Sequence, residues 1–471
     1  MLQCIVTMKK IIVFIIALII LFNIHSCVFA ENPPLSVPNN KFGIHITDEK
    51  DLPDAASLVN SSGGDWGYVT VVITEAGRDH DRWQLIFDQM RKLHLIPIIR
   101  LATKADGDTW QIPTDAEINN WIAFLNSLNW VIQNRYIVIS NEPNHSLEWG
   151  GKIDPVAYAT YLNSFSLALH KASPDFFVLS AGFDASAKNT ATTMDESVFL
   201  KRMLTAEPNL FDNIDGWTSH SYPNPGFEGK ETDTGRGTID TFDWELNYIK
   251  NLGVDKELPV FITETGWSNI KVDNNKISSM YEYAFNNVWN DTRIVAVTPF
   301  ILNYPQEPFT EFSWKKSDGS FYPYYSGYLN ISKTAGSPTQ VVSGQILGAI
   351  AQPVALPGSD FVGAILAKNT GQSIWNTKDI ILTGDTKDVL IKSYSFPDVE
   401  PTKLALIVFK ASSPESTGIY SKSLFLSDKN GKRVTNSFPI ESVIIKIDQM
   451  QIDSFFAKIG AYVQSALNLK F

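Results

Sequence analysis

The segment YIVISNEPNHSLEWGGKIDPVAYATYLNSFSLAL, residues 136–169, contains the pattern that decides the fold. It begins with a short uncharged apolar run, as expected of a strand that is buried on both faces of a parallel sheet. Asp154-Pro155 then provides the N-cap and first-turn proline of a helix, and apolar residues follow at helical spacing. Another apolar run, residues 176–181, comes next. The segment is therefore predicted to form a βα unit that leads into a parallel strand.

The same alternation extends in both directions along the chain. Eight apolar runs start about 25 to 45 residues apart, which is the spacing of βα units; they are residues 42–46, 67–73, 95–101, 136–140, 176–181, 214–222, 259–263 and 294–301. A closed (β/α)8 TIM barrel over residues 41–335 is predicted. The competing doubly wound sheet lacks support, because no glycine-rich phosphate loop follows the first run.

The N-terminal residues have the composition of an export signal. Lys9 and Lys10 precede an apolar run of twelve residues, and a V-x-A sequence ends at Ala30. This pattern predicts a secretory signal peptide over residues 1–30, followed by a linker over 31–40 and a secreted or cell-surface protein. An uncleaved anchor is disfavoured because the run is short for a bilayer, and the residues before Cys27 match a lipoprotein site poorly.

Composition excludes several classes of protein. The 471 residues include 39 Lys plus Arg against 50 Asp plus Glu, a net charge of −11 that argues against nucleic-acid binding. Both cysteines, Cys4 and Cys27, lie within the predicted signal, which excludes a disulfide scaffold and a cysteine nucleophile in the mature chain. H-x-H, H-E-x-x-H and G-x-S-x-G are absent, so neither a zinc site nor a serine-hydrolase elbow is predicted. We expect no cofactor and no metal.

From about residue 340 the helical periodicity stops and short β-rich runs alternate with turns. This predicts a β-sandwich accessory domain over residues 340–448. The sequence around Ala367 and Trp375, with Thr417-Gly418-Ile419-Tyr420 and Leu426, resembles bacterial immunoglobulin-like modules that bury a tryptophan. Residues 449–471 are predicted to form an amphipathic helix, which either packs on the protein, the favoured interpretation, or lies on a membrane surface.

Two predicted strands end in glutamates. The fourth leads into Asn141-Glu142-Pro143, and the seventh leads into Glu264-Thr265-Gly266-Trp267. One such carboxylate alone would most simply cap a helix or pair with an arginine. Two at the carboxyl ends of barrel strands lie across the same mouth, where active sites occur. Paired carboxylates across a cleft are what glycoside hydrolysis requires.

Both motifs, in this order and on these strands, resemble the signatures of clan A retaining glycoside hydrolases, the cellulase-like (β/α)8 enzymes related to families 5 and 39. The resemblance covers roughly residues 42–330. It implies that Glu142 is the general acid/base and Glu264 the nucleophile. It also implies that Asn141 binds the 2-hydroxyl of the sugar, and that the substrate is a β-linked oligo- or polysaccharide.

Further candidates lie at the ends of other strands. The sixth strand ends in His220-Ser221-Tyr222, which matches the clan's His-x-Tyr, whose tyrosine hydroxyl holds the nucleophile. Arg100 ends the third strand, and we expect it to pair with Glu264 and keep that carboxylate ionised. His45, which ends the first strand, is a weaker candidate for a sugar contact.

Aromatic residues near strand ends are candidates for sugar stacking. Many clan members carry a tryptophan on the eighth strand, where this chain has Phe300, so Phe300 or Tyr304 is expected to substitute, with Trp314 arriving from the following loop. Trp267 and then Trp149 are the other predicted stacking residues. The missing tryptophan also favours the alternative function, a non-catalytic carbohydrate-binding or cell-surface protein on a degenerate barrel.

Overall fold

The structure is a computed structural model that describes residues 32–385, 390–447 and 449–467. The predicted signal peptide, residues 1–30, lies outside the described residues. The chain divides into two compact units, with the boundary between Thr339 and Gln340.

The first unit alternates strands and helices. Its parallel strands are β1 (Gly43–His45), β2 (Gly67–Thr74), β3 (Leu95–Ala102), β4 (Arg135–Ile139), β5 (Phe176–Leu179), β6 (Trp217–His220), β7 (Val260–Glu264) and β8 (Ile294–Val297), and a short antiparallel hairpin pairs Ala105–Asp106 with Thr109–Trp110. Its helices are α1 (Leu52–Val59), α2 (His80–Lys92), α3 (Asp115–Ser127), α4 (Pro155–Ala172), α5 (Glu196–Ala206), α6 (Thr241–Asn251), α7 (Asn274–Tyr283) and α8 (Pro323–Asn330). Asp154 caps α4, as expected, by accepting a hydrogen bond from the backbone of Ala157.

These eight strands form two parallel sheets. One has the order β1-β2-β3-β4-β5, and the other has the order β8-β7-β6. Isolated parallel bridges join Phe42 to Val297 and Leu179 to Gly216. The unit is therefore a mixed α/β structure with parallel sheets, consistent with a TIM barrel. Since neighbouring strands run in one direction, their carboxyl ends lie at the same edge.

Both sheet faces are covered. Every residue of β4 after Arg135 is buried, as is every residue of β5, β6, β7 and β8. This matches the uncharged apolar runs in the sequence. β8 is shorter than predicted, because it ends at Val297 and leaves Phe300 in the following loop.

The second unit contains β9 (Gly344–Ala351), β10 (Val354–Ala355), β11 (Asp360–Asn369), β12 (Ile380–Gly384), β13 (Leu390–Ser395), β14 (Leu404–Ser412), β15 (Gly418–Asp428) and β16 (Phe438–Ile444). They form two four-stranded sheets, β9-β11-β14-β13 and β10-β16-β15-β12. Every pairing is antiparallel except that of β10 with β16. Both sheets contribute to one hydrophobic core, in which Trp375 is fully buried. The immunoglobulin-like identity of this unit stays a prediction.

A final helix, α9, spans Gln449–Leu467. Its Phe455, Phe456 and Ile459 side chains are exposed. Nothing in the described chain covers these three side chains, and packing of the helix on the protein stays a prediction. Among the described residues, no helix has the length and apolar character needed to cross a membrane.

Candidate active site

Glu142 and Glu264 come together at the carboxyl ends of β4 and β7. One carboxylate oxygen from each and a ring nitrogen of His220 all lie within 4.8 Å of one another. Glu264 is the last residue of β7, whereas Glu142 follows β4 by three residues. The three candidates that the sequence placed on strands four, six and seven therefore form one cluster.

The loop that carries Glu142 has an unusual backbone. Ser140 and Glu142 both have positive φ, 73° and 27°, a conformation that costs about 1–3 kcal/mol per non-glycine residue. Hydrogen bonds hold it in place: the Glu142 N–H donates to Gly182 O at 3.0 Å, and the His145 N–H donates to Glu142 O at 2.8 Å. The geometry fixes the direction in which the Glu142 side chain leaves the backbone.

Glu264 is surrounded by groups that favour its charged form. Arg100 Nη1 lies 3.3 Å from Glu264 Oε1, and the Tyr222 hydroxyl donates to Oε2 at 3.1 Å. Burial raises the pKa of Glu264, but the positive charges of His220 and Arg100 together with the Tyr222 hydrogen bond outweigh it, so the pKa lies below its ordinary value. Glu264 is therefore ionised at neutral pH.

His220 lies between the two carboxylates. Its Nδ1 is 2.8 Å from Glu142 Oε1 and 3.8 Å from Glu264 Oε2. Burial lowers the pKa of His220, but the negative charges of Glu264 and Glu142 and the hydrogen bond to Glu142 raise it above its ordinary value. The imidazole packs directly on Gly182, since a Cβ at that position would lie 2.2 Å from His220 Cδ2. Only glycine leaves room for the ring.

Asn141 lies beside Glu148, a residue that the sequence did not indicate. The Asn141 Oδ1 is buried with no hydrogen-bond partner among the described residues. Burial raises the pKa of Glu148 to about 7. Glu148 ends a short 3-10 helix, Ser146–Glu148, in the loop after β4. Because it closes no strand, no sequence pattern marks it as a site residue.

His45 is buried beside this cluster. Burial lowers the pKa of His45 to about 3, so its imidazole is neutral. Neither ring nitrogen has a hydrogen-bond partner in the part of the chain that the structure describes. The ring meets Phe300 edge-on, with centroids 5.1 Å apart. A neutral imidazole here offers one donor and one acceptor.

The two predicted stacking tryptophans do not fit that role. Trp267 is 3% exposed, and its Nε1 donates to Gly229 O at 2.8 Å. Trp149 is 2% exposed and packs edge-on against Tyr158 and Tyr161. Trp314 is buried as well. These rings fold back under the loops because burying so large an apolar surface is more favourable than leaving it in water. The prediction that Trp267 and Trp149 stack on sugar is wrong.

Aromatic residues that the sequence analysis missed lie near Phe300 instead. Phe309 and Phe312 pack against Phe300 at centroid distances of 5.3 Å and 6.0 Å, and Phe227 lies 5.1 Å from the ring of Tyr222. They belong to the loops after β6 and β8, where helical or strand periodicity gives no signal. The sequence signal that could have indicated these residues is the cluster of phenylalanines in the otherwise polar loop after β8.

The Glu142, His220 and Glu264 ligand atoms have a spacing that a cation could use. The Arg100 guanidinium on Glu264 already supplies a positive charge there. His220 Nδ1 also engages Glu142. The donor set is therefore better suited to two differently paired carboxyl groups than to a metal ion.

Three solved structures illustrate what the chain is similar to. A family 39 glycoside hydrolase from Bacteroides cellulosilyticus WH2 is 16% identical to this chain. The match covers 82% of this chain and 83% of that enzyme, with a TM-score of 0.44. A β-1,4-D-mannanase from Cryptopygus antarcticus is 13% identical over 64% of this chain and 97% of its own, with a TM-score of 0.40. A family 44 xyloglucanase from Paenibacillus polymyxa is 10% identical over 69% and 82%, with a TM-score of 0.33. No protein-family model and no curated protein sequence matches the chain.

Proposed function

We propose that the chain is a retaining β-glycoside hydrolase in which Glu264 is the nucleophile and Glu142 the general acid/base. The observation that carries this proposal is the spacing of the two carboxylates, whose oxygens lie within 4.8 Å of each other. Retaining enzymes place their carboxyl groups about 5–5.5 Å apart, whereas inverting enzymes need about 6.5–9.5 Å to admit a water molecule.

In the first step, an ionised Glu264 oxygen attacks the anomeric carbon as the bond from that carbon to the leaving oxygen breaks. Glu142 gives its proton to the leaving oxygen, so the alcohol departs neutral. The lowered pKa of Glu264 supports its assignment as the nucleophile, since attack requires the carboxylate. The products of this step are a glycosyl ester on Glu264 and an ionised Glu142.

In the second step, a water molecule enters where the leaving group was. Glu142 now accepts a proton from that water, whose oxygen bonds to the anomeric carbon and displaces Glu264. Glu142 is again protonated and Glu264 again ionised. Two inversions at one carbon give net retention.

The neighbouring side chains divide their work between the two glutamates. Arg100 and Tyr222 hold separate oxygens of Glu264, which orients the carboxylate and stabilises its charge. His220 shares a hydrogen bond with Glu142. Among the residues that the structure describes, none hydrogen-bonds the Asn141 Oδ1, which is therefore available to a sugar hydroxyl, and neutral His45 offers a second polar contact.

Several broader features belong to the same proposal. We propose that the two parallel sheets join in one closed barrel, which the bridges Phe42–Val297 and Leu179–Gly216 support. The substrate is a β-linked oligo- or polysaccharide, and the protein is exported by residues 1–30. The second unit acts as an immunoglobulin-like accessory domain. The exposed apolar side chains of α9 favour contact with another surface, such as a membrane.

The test replaces each glutamate in the full-length protein. Glu264→Ala and Glu142→Ala are expected to abolish turnover of β-linked aryl glycosides and polysaccharides while the circular dichroism spectrum stays unchanged. Glu282→Gln, an exposed position on α7, serves as the control. Full activity in Glu264→Ala contradicts the assignment. A wild type that binds glycans without cleaving them favours a carbohydrate-binding protein.

A further inference from the structure

An aromatic surface extends outward from the nucleophile. We call it the aromatic wall, and it consists of Tyr222, Phe227, Phe300, Tyr304, Phe309 and Phe312. Its rings contact one another in a continuous series: Tyr222 meets Phe227 at 5.1 Å and Phe312 at 5.7 Å, Phe312 meets Phe300 at 6.0 Å, Phe300 meets Phe309 at 5.3 Å, and Phe309 meets Tyr304 at 5.4 Å. The series begins at the hydroxyl that donates to Glu264.

Exposure changes along the aromatic wall. Phe312 is 7% exposed and supports the others from below, whereas Phe309 is 39% exposed at the outer end. Phe300 and Tyr304 are half-buried between them. A series of partly buried aromatic rings that ends in a solvent-exposed ring, beside a cluster of polar side chains, is characteristic of a ligand-binding surface.

The aromatic wall is held in place by the loop that follows the nucleophile. The Ser268 N–H donates to Phe227 O at 3.0 Å, and the Asn269 N–H donates to Glu311 O at 2.8 Å. The buried Asn269 amide also donates to Thr310 O and Ser313 O, both at 3.2 Å. The loop after β7 thus ties the loops after β6 and β8 together. Such preorganised rings lose little conformational freedom when a ligand binds.

The position of the aromatic wall indicates which part of a glycan it contacts. The loop with Glu142, which protonates the leaving group, contributes none of its rings. The rings come from the loops after β6 and β8, and the series begins at Tyr222, which donates to the nucleophile, so these rings are assigned to the glycone, the part of the substrate that becomes bonded to Glu264. Pyranose rings present apolar C–H faces, and aromatic rings bind such faces with little cost in conformational entropy.

We infer that Phe309, supported by Phe300, is a platform for the second sugar unit on the glycone side, so that the preferred substrates carry at least two sugar units there. The inference rests on the proposed function and names its substrate class: β-linked chains, rather than single glycosides. Phe309 is a specificity-determining residue here and takes no part in bond breaking.

The experiment uses 4-nitrophenyl β-glycosides of one, two and three sugar units in the gluco, manno and xylo series. Phe309→Ala is expected to lower kcat/KM for the two-unit and three-unit substrates by about three- to tenfold, and to leave the one-unit substrate unchanged. Phe309→Trp, which keeps a stacking ring, should retain the wild-type preference for the two-unit and three-unit substrates. Leu85→Ala, at a 71% exposed apolar position on α2, is the matched control and should change nothing.

Equal effects of Phe309→Ala on all chain lengths, or no effect on any, would overturn the inference while leaving the proposed function in place. A wild type that cleaves none of the substrates overturns both. If the wild type does not cleave the one-unit substrates, calorimetry measures the affinity of the Glu264→Gln variant for the matching disaccharide. Adding Phe309→Ala should weaken that affinity by the same factor of about three to ten. An unchanged affinity counts against the platform.

Discussion

Replacing Arg100 with glutamine tests what keeps the proposed nucleophile ionised. The guanidinium Nη1 is 3.3 Å from Glu264 Oε1, and the two side chains are only 17% and 11% exposed. Glutamine retains much of the length and polarity of the side chain but carries no charge. The pKa of Glu264 should therefore rise from its lowered value, because one of the two main positive charges beside it is gone.

The size of the effect follows from the distance. Two unit charges 3.3 Å apart have an interaction energy of about 5 kcal/mol at an effective dielectric constant of about 20. This energy is an upper limit for the effect of removing the Arg100 charge. The pKa of a carboxyl group beside an arginine is usually lowered by about 1–3, which is equivalent to about 1.4–4 kcal/mol. Since ionised Glu264 is the active form, the acid limb of the kcat/KM profile should move upward by about 1–3 pH units.

The assay is kcat/KM for an aryl β-glycoside between pH 3 and pH 9 at constant ionic strength. Arg82→Gln is the control, since Arg82 pairs with Glu49 at 2.8 Å on the surface, where the two side chains are 50% and 36% exposed. This variant should retain the wild-type profile. An unmoved acid limb in a folded, active Arg100→Gln protein would refute the electrostatic account of Glu264.

Three other substitutions test neighbouring parts of the structure. Gly182→Ala places a Cβ 2.2 Å from the His220 ring, and should lower kcat/KM by about 100-fold by displacing that ring; wild-type kinetics would show that the ring can shift freely. Trp267→Ala should lower the free energy of unfolding by about 3–5 kcal/mol in chemical denaturation, because the ring is core; a raised KM at unchanged stability would instead return it to the sugar-binding surface. Glu148→Gln should flatten the pH dependence of stability. The pKa of Glu148 is about 7 in the folded protein and about 4.5 in the unfolded chain, so the wild type loses stability as the pH rises from 4.5 to 7. The variant has no such carboxyl group and should be more stable than the wild type at pH 8 by about 3 kcal/mol. Equal melting temperatures of the two proteins at pH 8 would contradict this last expectation.

Much of the first unit could be predicted because its parallel strands are buried on both faces. That environment forces uncharged apolar runs, which mark all eight strands, and it makes a charged residue at a strand end conspicuous. In this way the sequence placed Glu142, Glu264 and Arg100 at predicted strand ends. It also placed His220 and Tyr222 at the end of the sixth predicted strand, although β6 ends at His220 and Tyr222 lies in the loop after it.

The residues that were missed or misjudged lie on loops. Trp267 and Trp149 follow strand ends just as the glutamates do, but whether a ring turns outward or folds under a loop depends on tertiary contacts. Glu148 and Phe309 lie in segments without periodicity, so their proximity to the site comes only from how the loops pack. The requirement for glycine at position 182 comes from the His220 ring packed against it, a tertiary contact that no local sequence pattern shows.

The central claim is that Glu142 and Glu264 act by double displacement. Proton NMR of the first sugar released from a β-linked substrate, recorded before mutarotation, tests it most directly. Carboxylate oxygens within 4.8 Å of each other predict that the β-anomer appears first, with retention of configuration. Initial release of the α-anomer would mean direct attack by water, and it would contradict the covalent intermediate on Glu264.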